Sequence, residues 1–283
     1  MSFHVPPPPP PGFHTAPRVP WPELDPALRA CVEETVGAVV DAETVWAGFS
    51  CDFAVMLGTA RGSFFAKGVR RDHPAVAQQH VEAVVAPYVT ALSPRLHDHI
   101  RANDWDVLVF EYVDAVHADL SPGSRDLPYV AETLRLLGAL VPPGAEVRLD
   151  RVADRWADYL DTAALALLDG ESLLHTDLNP HNLLSDGGRA YVVDWATAAR
   201  GPAWIDVAHA VLRLMEQGHT AADAEAWARQ VPCWGRVSAA EIDALVTAHV
   251  RAWRALVEPE DARRCSARFV ALGSAVRFSA RVS

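Results

Sequence analysis

The sequence predicts an α+β fold, with a small N-terminal lobe built on an antiparallel sheet with a helix against it and a larger, mostly helical C-terminal lobe. Three observations carry this. Short runs rich in β-branched and aromatic residues, parted by glycines, fill the first third after an opening helix. From about Tyr129 onward apolar residues recur at helical spacing, and only the turn-rich stretch Ser172–Asp194 interrupts them. The 283 residues, 50% of them hydrophobic, suffice for two lobes that each bury a core.

Residues 1–25 contain a run of prolines from Pro6 to Pro11 and then Pro17, Pro20 and Pro22, a composition that favours extended polyproline II and cannot build a core. They are expected to form a flexible arm. From Pro26 to about Val40, Leu28, Val32, Val36 and Val39 recur at helical spacing, with Pro26 in the first turn where proline is tolerated. Thr44–Leu57 and Ser63–Val69, separated by Gly58–Gly62, read as a hairpin. A helical pattern from about Pro74 to Leu92, ended or kinked near Pro87, precedes the apolar strand Val107–Val113. The first lobe is thus expected over residues 26–115. Beyond the turn Ser121–Asp126, the helical lobe over 116–283 reads as helices at Tyr129–Leu140, Leu149–Leu168, Ile205–Gln217, Ala221–Arg229, Ala239–Val257 and Pro259–Phe278. The strand-like Ala190–Val193 lies within its one interruption.

Composition excludes several classes. No run approaches the roughly 18 apolar residues of a membrane span, and the N-terminus lacks the basic-then-apolar order of a secretory signal, so no membrane role and a cytoplasmic location are expected. Cys31, Cys51, Cys233 and Cys265 are scattered, without zinc-ligand spacing. A formal charge of −11 argues against a nucleic-acid partner and would suit a cationic small molecule.

The interruption carries the chemistry. Asp177 and Asn182 lie in one loop and Asp194 ends the strand Tyr191-Val192-Val193, so a hairpin would bring three oxygen donors toward one metal. Such hard ligands suit magnesium, and phosphoryl transfer also needs a carboxylate to orient the attacking hydroxyl and a cation on the phosphates.

The segment His175–Asn182 (HTDLNPHN), followed by Val192-Val193-Asp194-Trp195, resembles the catalytic loop and metal-binding aspartate of the aminoglycoside phosphotransferase and choline kinase-like family. That resemblance implies the two-lobed protein kinase-like fold and ATP, with GTP open, as phosphate donor. It implies Asp177 as catalytic base, Asn182 and Asp194 as magnesium ligands, and His175 as a structural support. Lys67 in GSFFAKGV matches the family's phosphate-binding lysine. A lysine within an apolar strand needs a carboxylate partner, and Glu82 is the only acidic residue between Ala75 and Leu92. The loop Ala47–Asp52 stands where the family covers the phosphates, but it lacks GxGxxG; Ser50 and the amides near Gly48 are its candidates. By position, backbone groups from Glu111 to Val113 would bind the base.

Asp206, at a helix start, reads as a cap for that helix rather than as a catalytic group. Glu216, Asp223, Glu225, Glu241 and Asp243 are possible amine-binding carboxylates. The expected activity is ATP-dependent phosphorylation of a hydroxyl on a small, amine-bearing molecule such as an aminoglycoside-like antibiotic. Alternatives are a metabolic kinase for choline, a sugar or an amino alcohol, and a non-catalytic binding protein that keeps the fold.

Overall fold

The computed structural model describes residues 18–46 and 50–282. The proline run and the loop residues Ala47, Gly48 and Phe49 lie outside them. The chain divides into two compact units: one runs up to His117 and includes Val193–Ala196, the other takes Ala118–Val192 and everything from Thr197 on.

In the first unit, α1 (Pro26–Val36) starts where the Asp25 carboxylate accepts the Ala27 N–H at 2.8 Å and where Pro26 fits the first turn. It buries Leu28, Val32 and Val36. The helix ends four residues before the expected Val40, because Gly37 turns the chain with φ +92° and Val39–Thr44 becomes strand β1. Thr44–Leu57 is accordingly not one strand: β2 begins only at Phe53 and runs to Thr59, and β3 spans Gly62–Arg70. After α2 (Val76–Val85) and a 3₁₀ turn over Ala86–Tyr88 come β4 (Leu96–Ala102), β5 (Trp105–Glu111) and the two-residue β6 (Val116–His117).

The first five strands form one antiparallel sheet in the order β1-β2-β3-β5-β4. β4 escaped sequence reading because it is an edge strand whose LHDHIRA is mostly polar, as exposed edges are. Its hairpin turn, Asn103-Asp104, has both residues left-handed (φ 50° and 61°), the conformation that tight two-residue hairpins require. β5 is buried on both faces. Trp105, Val107 and Val109 join Phe53, Val55 and Leu57 beneath α1, while Leu108 and Phe110 pack with Ala83 of α2.

The second unit opens with α3 (Leu127–Leu137). The long helix expected over Leu149–Leu168 is replaced by a 3₁₀ turn, Asp154–Trp156, and the short α4 (Thr162–Leu167). Its backbone is spent elsewhere: Arg200 N–H donates to the Asp150 carbonyl and Val152 N–H to the Arg200 carbonyl, both at 2.8 Å. Then follow β7 (Ser172–Leu174), β8 (Leu183–Ser185), β9 (Ala190–Val192) and β10 (Ala199–Gly201). β7 pairs with β10 and β8 with β9, both antiparallel. Helices α5 (Trp204–Glu216), α6 (Ala221–Ala228), α7 (Ala239–Leu256) and α8 (Pro259–Val282) complete it. Among the described residues no helix is long and apolar enough to cross a membrane.

Candidate active site

In the first unit, alternation along β3 points Lys67 away from the α1 side and toward α2. Its Nζ lies 2.6 Å from Glu82 Oε2 and 2.9 Å from Asp194 Oδ1. Burial alone would pull the lysine's pKa down, but the two carboxylates outweigh it and hold the ammonium above its ordinary range. Burial pushes the Glu82 carboxyl up to about 7 against the opposing pull of Lys67. The lysine is therefore the fixed charge of the pair, and its ammonium opposes the burial that disfavours the ionised Glu82 carboxylate.

Asp194 reaches Lys67 because Val193–Ala196 is fastened to the sheet unit. Trp195 Nε1–H donates to Ser93 Oγ at 2.7 Å, and the Trp195 backbone N–H donates to Glu82. Asp194 itself has φ +66°, a left-handed conformation that costs a non-glycine residue energy and tends to be kept where an aimed side chain needs it. Lys67, Glu82 and Asp194 line a cleft together with Ser50, Cys51 and Gln79. Glu111 ends β5 at the surface, its N–H donating to the Arg95 carbonyl at 2.9 Å, and the Val113 carbonyl accepts from Ala115 N–H at 2.9 Å.

In the second unit, the loop His175–Asn182 is built around Asp177. Asn179 Nδ2 and Asn182 Nδ2 both donate to Asp177 Oδ2, at 3.0 and 3.2 Å, which fixes the carboxylate's plane. Asn182 Nδ2 also donates to the Asp177 carbonyl at 2.9 Å, so the amide oxygen is the atom Asn182 has for a cation. His175 is fully buried and its Nδ1 accepts the Asp177 N–H at 3.2 Å, a supporting role.

Two groups hold this loop that sequence reading misplaced or missed. Asp206, 1% exposed, does not cap its own helix. Its oxygens accept the backbone N–H groups of His175 (2.7 Å) and Thr176 (2.8 Å). Burial pushes its pKa up, and His175 with these two N–H groups opposes the rise. Thr176, with φ +68°, is thereby held in a left-handed turn. Arg155 donates to Thr176 Oγ1 at 2.9 Å and to the Thr197 carbonyl at 2.8 Å. Nothing in its sequence context signals this, since the segment around it reads as plain helix.

The five acidic residues considered for amine binding are occupied. Glu216 pairs with Arg213, Glu225 with Arg229, and Asp243 with Arg277. Asp223 and Glu241 accept from Thr220 and Ser238, the N-cap residues of α6 and α7.

The buried lysine–carboxylate pair beside Asp194 in the sheet unit, and the Asp177–Asn182 loop held by Asp206 and Arg155 in the helical unit, are the groups on which a small-molecule kinase reading rests. Residues 114–240, which contain that loop, match the family model described as "Phosphotransferase enzyme family". Solved structures share the fold. A thermostable mutant of aminoglycoside phosphotransferase APH(4)-Ia, in ternary complex with ADP and hygromycin B, is 16% identical with a TM-score of 0.57, covering 88% of this chain and 98% of that one. The choline kinase LicA from Streptococcus pneumoniae is 13% identical with a TM-score of 0.54, covering 88% and 99%. A choline/ethanolamine kinase family protein from Mesorhizobium loti is 16% identical with a TM-score of 0.58, covering 89% and 99%. At such identities the likeness concerns the fold. No match was found among curated proteins.

Proposed function

We propose that this protein transfers the γ-phosphate of ATP to a hydroxyl of a small polar molecule, working in the cytoplasm where ATP is supplied. The observation that carries the reading is the pinned loop: two amide donors orient the Asp177 carboxylate, and the buried Asp206 clamps the backbone on which it sits. Such rigidity is what a base needs when it must meet a hydroxyl in one geometry. Asp177 takes up the proton as the hydroxyl attacks. Lys67, kept cationic by Glu82, neutralises the α and β phosphates, Ser50 donates to phosphate, and backbone groups at Glu111 and Val113 hold the base.

The donor set fits magnesium, because the Asp194 carboxylate and the Asn182 amide oxygen are hard ligands. Magnesium, when bound, draws off phosphate charge. ADP and hygromycin B are bound by one structural relative, which supports ATP as donor and a hydroxyl-bearing acceptor. An amine on that acceptor draws no support from the five carboxylates, since all are engaged.

The test is magnesium-dependent ADP release across a panel of aminoglycosides, choline, ethanolamine and sugars. Asp177→Asn is expected to lower kcat on the order of a thousandfold with nucleotide affinity unchanged. Asp194→Asn is expected to abolish turnover with the fold intact. Near-wild-type turnover in either variant sinks its assigned role, and absence of turnover with every acceptor favours a binding protein.

A further inference from the structure

Within the first unit, α2 carries the carboxylate that meets Lys67, and it buries four side chains: Gln79, Glu82, Ala83 and Val85. The two apolar ones are small, and Ala83 packs with Leu108 and Phe110 of β5. Apolar contact is non-directional, so it does not by itself fix how far a helix is turned on a sheet. Hydrogen bonds do, and α2 has a second set of them besides Glu82 on Lys67. It starts from Gln79, three residues before Glu82 and on the same side of the helix.

Gln79 Nε2 donates to the backbone carbonyl of Asp106 at 2.5 Å and to its Oδ1 at 2.7 Å. Asp106, on β5, is 3% exposed and takes two more donors from the edge strand β4. His99 Nε2–H reaches Oδ1 at 2.9 Å, and Arg101 Nε–H reaches Oδ2 at 3.0 Å. Burial would raise the carboxyl's pKa, but the bonds from Gln79, His99 and Arg101 outweigh it and hold it below its ordinary value. Arg101 also donates to His80 Nδ1 at 3.1 Å, so β4 grips α2 once more beside Gln79.

The strand register sets the two holds next to each other. Lys67 of β3 faces Leu108 of β5 across the ladder, and Asp106 stands two residues from Leu108 on the same face. Gln79, Glu82 and Lys67 line the cleft with Asp194, whereas Asp106 does not belong to its described wall. Any effect of Asp106 on a nucleotide must therefore pass through α2. A shift of that helix by about 1 Å would take the 2.6 Å contact between Lys67 and Glu82 out of hydrogen-bond range.

From the buried carboxylate that grips Gln79 one turn before Glu82, we infer that Asp106 is a positioning residue for the phosphate-binding lysine. It fixes the turn of α2 on the sheet, and with it the placement of Glu82 and Lys67. This rests on the kinase reading above, in which Lys67 meets the α and β phosphates.

The experiment is titration calorimetry of magnesium-ADP, and of adenosine, which lacks the phosphates that Lys67 holds. The proteins are wild type, Asp106→Ala, Asp106→Asn, Lys67→Met and the double variant Asp106→Ala with Lys67→Met. The expected result is that Asp106→Ala raises the Kd for magnesium-ADP about tenfold and leaves that for adenosine unchanged. Asp106→Asn keeps an oxygen for Gln79 and should restore the wild-type value. The double variant should bind magnesium-ADP no more weakly than Lys67→Met alone, because both changes act through one ammonium. An unchanged Kd for magnesium-ADP in Asp106→Ala, an equal loss of adenosine, or full additivity with Lys67→Met overturns the inference while the kinase reading stands. Should Asp106→Ala not fold, Gln79→Met decides, since it leaves Asp106 its His99 and Arg101 partners. It must show the same selective loss, and a wild-type Kd for magnesium-ADP in that variant overturns the inference. The kinase reading fails separately, if wild type binds neither magnesium-ADP nor magnesium-ATP, and Asp106 then has no phosphate-binding lysine to position.

Discussion

At the scale of single residues, the buried charges govern what each substitution does. Lys67→Met alone leaves Glu82 enclosed without its cation, and breaking a buried pair in this way costs about 3 kcal/mol. Lys67→Met with Glu82→Gln is expected to recover most of that stability but none of the phosphotransfer. Denaturant midpoints and turnover for the single and double variants check it, and recovered activity in the double variant would show that the lysine serves only the fold. Asp206→Asn keeps one acceptor oxygen for two backbone N–H groups that need two. The loop loosens, and kcat should fall on the order of a hundredfold with the KM for ATP unchanged. Asp177 and Asp194 could be singled out because residue type and interval occur together in a short segment, and Lys67 because a lysine stands out in an apolar strand. The work of Asp206 could not be, because a carboxylate at a helix start has an ordinary local use, and only the fold brings the loop N–H groups to it.

Elements set the next constraints. β2, β3 and β5 approach so closely at Gly68 that an added Cβ would lie 2.3 Å from the Phe53 ring, itself edge-on to Trp105 at 5.3 Å. Gly68→Ala is therefore expected to destabilise by about 2 kcal/mol and, through its neighbour Lys67, to raise the KM for ATP. A thermal melt paired with nucleotide titration reads both. Between α5, α7 and α8 the histidines add a pH dependence. His209 has a folded pKa of about 4 against an ordinary 6.5, so the stability it contributes is present above 6.5 and is lost as pH falls through about 4. The melting temperature should drop over that window, and His249, lowered further still, extends the loss to more acid pH. A flat acid limb between pH 6.5 and 4 would contradict this. The elements read wrongly share a cause. β4 is a polar edge strand, and residues 149–168 spend backbone groups on Arg200, neither of which leaves a periodic apolar signal.

For the whole molecule, two units with their own cores make one all-or-none melt the less natural expectation. Ligand linkage tests the nucleotide reading at this scale. Magnesium-ATP at about a hundredfold above its Kd should stabilise the native state by about 2.7 kcal/mol, and Lys67→Met should lose that shift. An equal shift in the variant would remove Lys67 from nucleotide binding. The five carboxylates show the same lesson from the surface inward. A net charge of −11 suggested a cationic acceptor, yet these five side chains are engaged by arginines and by N-cap residues.

By itself, the sequence determined the α+β class, the family resemblance and the phosphotransferase reading proposed from it, because these rest on local period and on a motif whose residues lie within twenty positions from His175 to Asp194. Only the tertiary structure decided that Val193–Ala196 joins the sheet unit, that Asp206 and Arg155 hold the catalytic loop, and that Asp106 grips Gln79. The reason is physical: motif chemistry is written in neighbouring residues, whereas the partners of a buried charge come from elements far apart in the chain and exist only once those elements have packed.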